Sequence, residues 1–169
     1  MMASKKILYF AYGSNLLRER VKLNNPSATF KCIGKLEGYI LTFKGSWSRW
    51  RGAAASIAKK NDGHVWGVIW EVDLGDIENL DRQETFYDAI EVPVSSISNE
   101  VLRCRTYKLS RGYKPGKPSP HYKDVIVRGA RQNSLPAVYI AFLESLEDNG
   151  YAGEVEVYNS VMQLLQADN

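Results

Sequence analysis

Apolar and polar positions alternate with two different periods along this chain, and the switches between them mark out the elements. Lys6-Ile7-Leu8-Tyr9-Phe10-Ala11-Tyr12 is mostly apolar, aromatic and β-branched, which predicts a buried strand. Gly13-Ser14-Asn15 breaks the run, and Leu16 to about Val21 reads as a short helix ended by Asn24-Asn25-Pro26-Ser27. Thr29 to Leu36 and Tyr39 to Phe43 have strand character, and Trp47 to Gly52 reads as a loop. Ala53 to Ala58 and Val65 to Val72 read as two strands joined by Asn61-Asp62-Gly63, a strong hairpin-turn signal. Asp73 then caps a helix with Leu74, Ile77 and Leu80 on one face, ending near Gln83-Glu84.

Tyr87 to Val94 and Val101 to Leu109 predict a further strand pair, and Ser110 to Pro120 a Gly- and Pro-rich loop. The rest is helical: Tyr122 to Arg131, a segment starting at Asn133-Ser134-Leu135-Pro136 and stopped by Asn149-Gly150, and Val155 to Gln166. Strands, one embedded helix, more strands and then helices define an α+β class. The sheet is expected to be small, mixed, largely antiparallel and barrel-like, flanked by helices, with a helical C-terminal third. No repeat or composition shift divides the chain, so residues 1–169 are expected to form one domain.

Composition adds mainly exclusions. A net charge of +3, from 22 basic and 19 acidic residues, is too balanced to call for nucleic acid or an anionic membrane. No apolar run is long enough to span a bilayer, and the basic start does not read as a signal peptide, so a cytoplasmic location is expected. Cys32 and Cys104 lie in strand-like stretches outside any Cys-x-x-Cys pattern and read as buried, reduced thiols, although a disulfide between them stays open. The ten tyrosines stand out, because a tyrosine-lined pocket can hold a small polar ligand.

Several chemistries find no support. His64 and His121 form no metal motif with either cysteine, so neither metal nor cofactor is expected. There is no Walker loop, no Gly-x-Gly-x-x-Gly and no Gly-x-Ser-x-Gly around Ser14. Trp47, Trp50 and Arg51 invite an RNA-stacking reading, but a loop packed on a barrel rim is the better account of one short segment. The strand-to-helix turn at Gly13-Ser14-Asn15 could present backbone N–H groups to a carboxylate or oxyanion; taken alone it is an ordinary connection. Glu84 falls at a helix C-terminus beside aromatic residues, where the helix dipole and desolvation would both raise its pKa toward that of a useful base. Taken alone it could equally be a solvated helix-end carboxylate.

The motifs together carry more than any one of them. Tyr9-Phe10-Ala11-Tyr12-Gly13-Ser14-Asn15 closely resembles the opening loop of the gamma-glutamylcyclotransferase family. Trp66-Gly67-Val68-Ile69-Trp70, Leu80-Asp81-Arg82-Gln83-Glu84, Tyr87 to Val92, Cys104-Arg105-Thr106-Tyr107, Pro118 to Lys123 and Gly129 to Pro136 follow in the same order. The resemblance covers nearly the whole chain and implies the same small mixed barrel packed by helices.

It also implies an activity: a γ-glutamyl-amino acid closes on itself, its α-amine attacking its own γ-amide carbonyl to give 5-oxoproline and a free amino acid. Glu84 occupies the place of the family's catalytic acid/base. Tyr9, Phe10, Ala11, Tyr12, Gly13 and Ser14 occupy the substrate-binding loop, with the turn from Ala11 to Ser14 holding the α-carboxylate or the oxyanion. Tyr107 and Tyr122, carried over with their motifs, are expected to line the pocket and donate hydrogen bonds. The partner is then a small γ-glutamyl molecule rather than nucleic acid or membrane, and the resemblance allows a homodimer. Rivals are a related cyclotransferase acting on γ-glutamyl-amines or glutathione, and a non-catalytic binding module on the same fold. The segment Glu84-Thr85-Phe86-Tyr87 is shorter than its family equivalent, which bears on the position of Tyr87 and on the choice of departing amino acid.

Overall fold

The computed structural model describes residues 5–83, 85–110 and 112–168. Its strands are β1 (Lys6–Ala11), β2 (Thr29–Trp47), β3 (Gly52–Asp73), β4 (Tyr87–Ser96) and β5 (Val101–Leu109). They close into a barrel in the order β1-β3-β2-β4-β5. Every neighbouring pair within that order is antiparallel, and the barrel is closed by a parallel contact between β5 and β1, with Tyr9 opposite Arg105. The α+β class and the barrel-like, largely antiparallel sheet are as the sequence predicts.

The helices are α1 (Arg18–Asn24), α2 (Leu74–Gln83), α3 (Pro120–Gln132), α4 (Ala137–Glu144) and α5 (Glu156–Ala167), with a short 3₁₀ turn at Ser14–Leu16. The last three follow β5 and form the helical C-terminal third. Among the described residues, no helix is long and apolar enough to cross a membrane. One continuous core links barrel and helices, drawing Phe10, Val68, Ile69 and Trp70 from the sheet, Leu80 from α2, and Val125 and Ile126 from α3.

The strand count differs from the sequence reading at one place. Asn61-Asp62-Gly63 does not end a strand: β3 runs through it unbroken for 22 residues. Glu37 of β2 faces His64, yet Tyr39 faces Lys59, so the chain between Lys59 and His64 is extra length on β3 and forms a large bulge. The turn-forming residues are used, since Asp62 takes a left-handed φ of 67°, but they bend a long strand instead of reversing it. The two short runs at Thr29–Leu36 and Tyr39–Phe43 likewise fuse into β2. The true reversal between β2 and β3 is the turn at residues 48–51, where Arg51 has φ 59°.

A candidate active site at the mouth of the barrel

β1 leaves the barrel at Ala11 and runs into Tyr12, Gly13 and Ser14, and a recess opens beside this turn. It is lined by Tyr9 of β1, Tyr12, Gly13, Ser14 and Asn15 from the turn, Ala55 of β3, Tyr87 of β4, Thr106 and Tyr107 of β5, and Tyr122 of α3. Strands remote in sequence meet here because closing the barrel brings the end of β1 against β5.

Its tyrosines are fixed largely through their hydroxyls. Tyr122 Oη accepts a hydrogen bond from the Ala55 N–H at 3.1 Å, and Tyr87 Oη donates to the Ala55 carbonyl at 2.8 Å. The peptide groups on either side of Ala55 in β3 thus hold one side chain from α3 and one from β4. Tyr12 Oη donates to the Tyr107 carbonyl. Tyr9 Oη accepts from Asn15 Nδ2 at 3.0 Å, and its ring meets Tyr107 edge to face with centroids 5.8 Å apart. Thr106 Oγ1 donates to the Phe10 carbonyl at 2.8 Å. A wall fixed by so many short bonds is organised before any ligand arrives.

Gly13 allows the closest of these approaches: a Cβ there would stand 3.2 Å from the Ala55 Cβ and 3.3 Å from Tyr122 Oη. α3 braces the turn from behind. Ser119 caps that helix by accepting from the Tyr122 N–H at 3.1 Å, with Pro120 in its first turn, and this sets Tyr122 at the edge of the recess. At its far end, Asn133 Nδ2 donates to the Leu16 carbonyl at 2.7 Å and Gln132 Oε1 accepts from the Arg18 N–H at 2.8 Å. Gly129 lies against the Leu16-Leu17 backbone, where a Cβ would come within 2.5 Å of the Leu17 nitrogen.

Tyr107 ties the recess to α2. Its hydroxyl donates to Asp81 Oδ1 at 2.5 Å, and Arg105 grips the same carboxylate with Nη2 at 3.0 and 2.9 Å from its two oxygens. Burial, and next the bond to Asp81, push the Tyr107 phenol well above its ordinary range, so it stays a protonated donor at any physiological pH.

Of the residues the sequence singled out, Tyr9, Tyr12, Gly13, Ser14, Tyr107 and Tyr122 are brought together in the recess. Phe10 and Ala11 are not in its lining. Both are buried in the barrel core; Phe10 meets the recess from behind, its carbonyl accepting from Thr106 and its ring 6.4 Å from that of Tyr12. Glu84 lies outside the described residues. The sequence reading did not pick out Asn15, Ala55 or Thr106 as site residues, and left the position of Tyr87 in doubt. Ala55 contributes through its peptide groups, which no side-chain pattern reports. The Asn15 side chain turns to Tyr9, and its carbonyl accepts from Trp70 Nε1 at 2.9 Å.

A barrel of mixed strands with a glycine turn and a cluster of bound tyrosines at its mouth defines a small-molecule site. Proteins similar to this chain in sequence and fold are gamma-glutamylcyclotransferases. The family model that matches is the AIG2-like family, over residues 64–143. Gamma-glutamylcyclotransferase of Mus musculus is 43% identical over 156 residues, spanning 88% of this chain and 82% of the relative. That of Homo sapiens is 40% identical over 159 residues, spanning 89% and 84%. A solved gamma-glutamyl cyclotransferase superposes with a TM-score of 0.90 at 37% identity, covering 94% of this chain and 99% of that one. The chain belongs to the gamma-glutamylcyclotransferase family of enzymes.

Proposed function

We propose that this protein converts γ-glutamyl-amino acids to 5-oxoproline and a free amino acid, with Glu84 as general acid/base and the recess at the barrel mouth as the γ-glutamyl site. The substrate carries nucleophile and electrophile in one molecule. The enzyme must fold the glutamyl chain so that the α-amine meets the γ-carbonyl, take a proton from the amine, stabilise the oxyanion and protonate the departing nitrogen. Orientation is the largest part of this task, since effective molarities for well-placed intramolecular attack reach roughly 10⁵–10⁸ M.

The observation that carries the reading is the recess itself, preorganised around the Gly13 turn in a chain of this family. Its fixed rings and Ala55-anchored hydroxyls suit a small, polar, tightly folded ligand. The Tyr12-Gly13-Ser14 backbone would hold the α-carboxylate or the oxyanion. Glu84 stands in sequence directly after α2, whose Asp81 is bound by Tyr107, and three residues before Tyr87 of the recess. It would accept the ammonium proton and return it to the leaving amine. Residues 1–169 act as one catalytic domain that needs no metal or cofactor.

Glu84→Gln tests the assignment. The amide keeps size and shape but cannot take the proton, so the variant should fold and bind substrate while kcat falls by at least about a hundredfold. A kcat within a few-fold of the unmodified protein removes Glu84 from the mechanism.

A further inference from the structure

A second cleft continues the recess outward. Ser14, Asn15, Tyr87 and Tyr122 line both, and the outer part adds Arg20, Trp47, Ser48, Arg49, Trp50, Ala54 and Phe86. Its walls are aromatic. The Trp47 ring lies 4.9 Å from that of Phe86 and 5.0 Å from that of Tyr113, and the Trp50 ring lies 5.0 Å from that of Tyr122. The Trp47 indole is held in place, its Nε1 donating to the Lys44 carbonyl at 3.0 Å. It folds back over Gly45, where φ is 75° and a Cβ would come within 2.6 Å of that nitrogen. The Arg20 guanidinium, buried in the lining, lies 5.9 Å over the Trp50 ring. Arg49 is different: it is exposed in the turn between β2 and β3 and pairs with none of the described carboxylates.

We propose that this outer cleft binds the departing amino acid, with the Arg49 guanidinium on its α-carboxylate and its side chain against Trp47 and Phe86. The inference rests on the cyclotransferase reading and goes further, to the group beyond the scissile bond. If the γ-glutamyl half fills the inner recess, the amide nitrogen and everything attached to it must leave through the wall that the two cavities share. A departing amino acid carries a carboxylate on the carbon next to that nitrogen, and a departing amine does not. A cation at the cleft mouth therefore separates the two substrate classes, and the aromatic walls accept a small apolar side chain. Binding there ends when the product diffuses out, so Arg49 is a specificity residue, not a catalytic one.

The test uses the purified full chain with γ-glutamyl-alanine as substrate and γ-glutamyl-ethylamide as competing ligand; the two differ only by the departing carboxylate. Release of 5-oxoproline is followed. In Arg49→Gln, the KM for γ-glutamyl-alanine should rise about tenfold with kcat within about twofold, as expected for the loss of one charge-assisted bond made equally in ground and transition states. The inhibition constant of the ethylamide should stay within about twofold, and Arg49→Lys should fall between the two proteins. Parallel weakening of both ligands, or no change in either, overturns the cleft assignment while the cyclotransferase reading stands. If the unmodified protein releases no 5-oxoproline from γ-glutamyl-alanine, that reading falls, and this inference with it.

Discussion

The Tyr107 hydroxyl donates to Asp81 Oδ1 over 2.5 Å, joining a wall of the recess on β5 to the last turns of α2. The helix and the pocket therefore hold one another in register. Arg105 binds the same carboxylate, so Asp81 keeps a partner when the phenol is removed. Tyr107→Phe should accordingly cost only about 1 kcal/mol of stability. Activity should suffer more, because the link sets how α2 meets the recess. We expect kcat to fall by roughly ten- to a hundredfold with a smaller change in KM. Urea unfolding and steady-state kinetics on the one variant check both halves, and an unchanged kcat would show that the link is structural only.

Tyr122 and Gly13 should separate stability from function. Tyr122→Phe leaves the buried Ala55 N–H without its acceptor, a loss of about 1–3 kcal/mol seen as a lower Tm. Gly13→Ala places a methyl 3.2–3.3 Å from the Ala55 Cβ and Tyr122 Oη, a tight fit that small shifts of the turn relieve. The fold should survive and the site should not. We expect kcat/KM to drop by about tenfold or more with Tm nearly unchanged. Equal losses of Tm and activity in Gly13→Ala would mean that the turn is needed for folding rather than for binding.

How far the sequence carried can be judged at particular residues. β1, α2, the β4–β5 pair and α3 were legible because each has an unambiguous period bounded by a turn or cap, although α3 starts at Pro120 behind its Ser119 cap, two residues before the Tyr122 start that its apolar period suggests. Asn61-Asp62-Gly63 misled because turn chemistry is local. It specifies a left-handed residue at Asp62, but whether that residue reverses a strand or bends one depends on the partner strand, and β2 is long enough to pair on both sides of it. The motif residues of the site were legible through family resemblance. Ala55 and Thr106 were not, because they enter the recess only when the barrel closes and brings β3 and β5 against the end of β1.

Alkaline pH should weaken the fold through Cys104. Burial, with a smaller contribution from nearby Cys32, lifts its thiol from the ordinary 9.0 to about 12. The folded state then keeps a proton that the unfolded chain gives up. This thiol's contribution to stability is full below pH 9 and is lost as pH rises from 9 toward 12. Unfolding free energy measured by urea at steps from pH 7 to 10 should be flat and then decline above pH 9. Cys104→Ala should show a shallower decline over pH 9–10, the window below the main titration of the buried tyrosines. Identical slopes in the two proteins would assign the alkaline loss to other groups.

The claim that the substrate's own α-amine is the nucleophile is tested most directly by blocking that amine. N-acetyl-γ-glutamyl-alanine keeps the γ-amide and the α-carboxylate but leaves no free amine within ring-closing reach of the carbonyl. Purified protein should release alanine and 5-oxoproline in equal amounts from γ-glutamyl-alanine, and no alanine from the acetylated compound. Steady release of alanine from the acetylated dipeptide, or glutamate in place of 5-oxoproline from the free one, would contradict the cyclotransferase account and point to hydrolysis by water or a protein nucleophile.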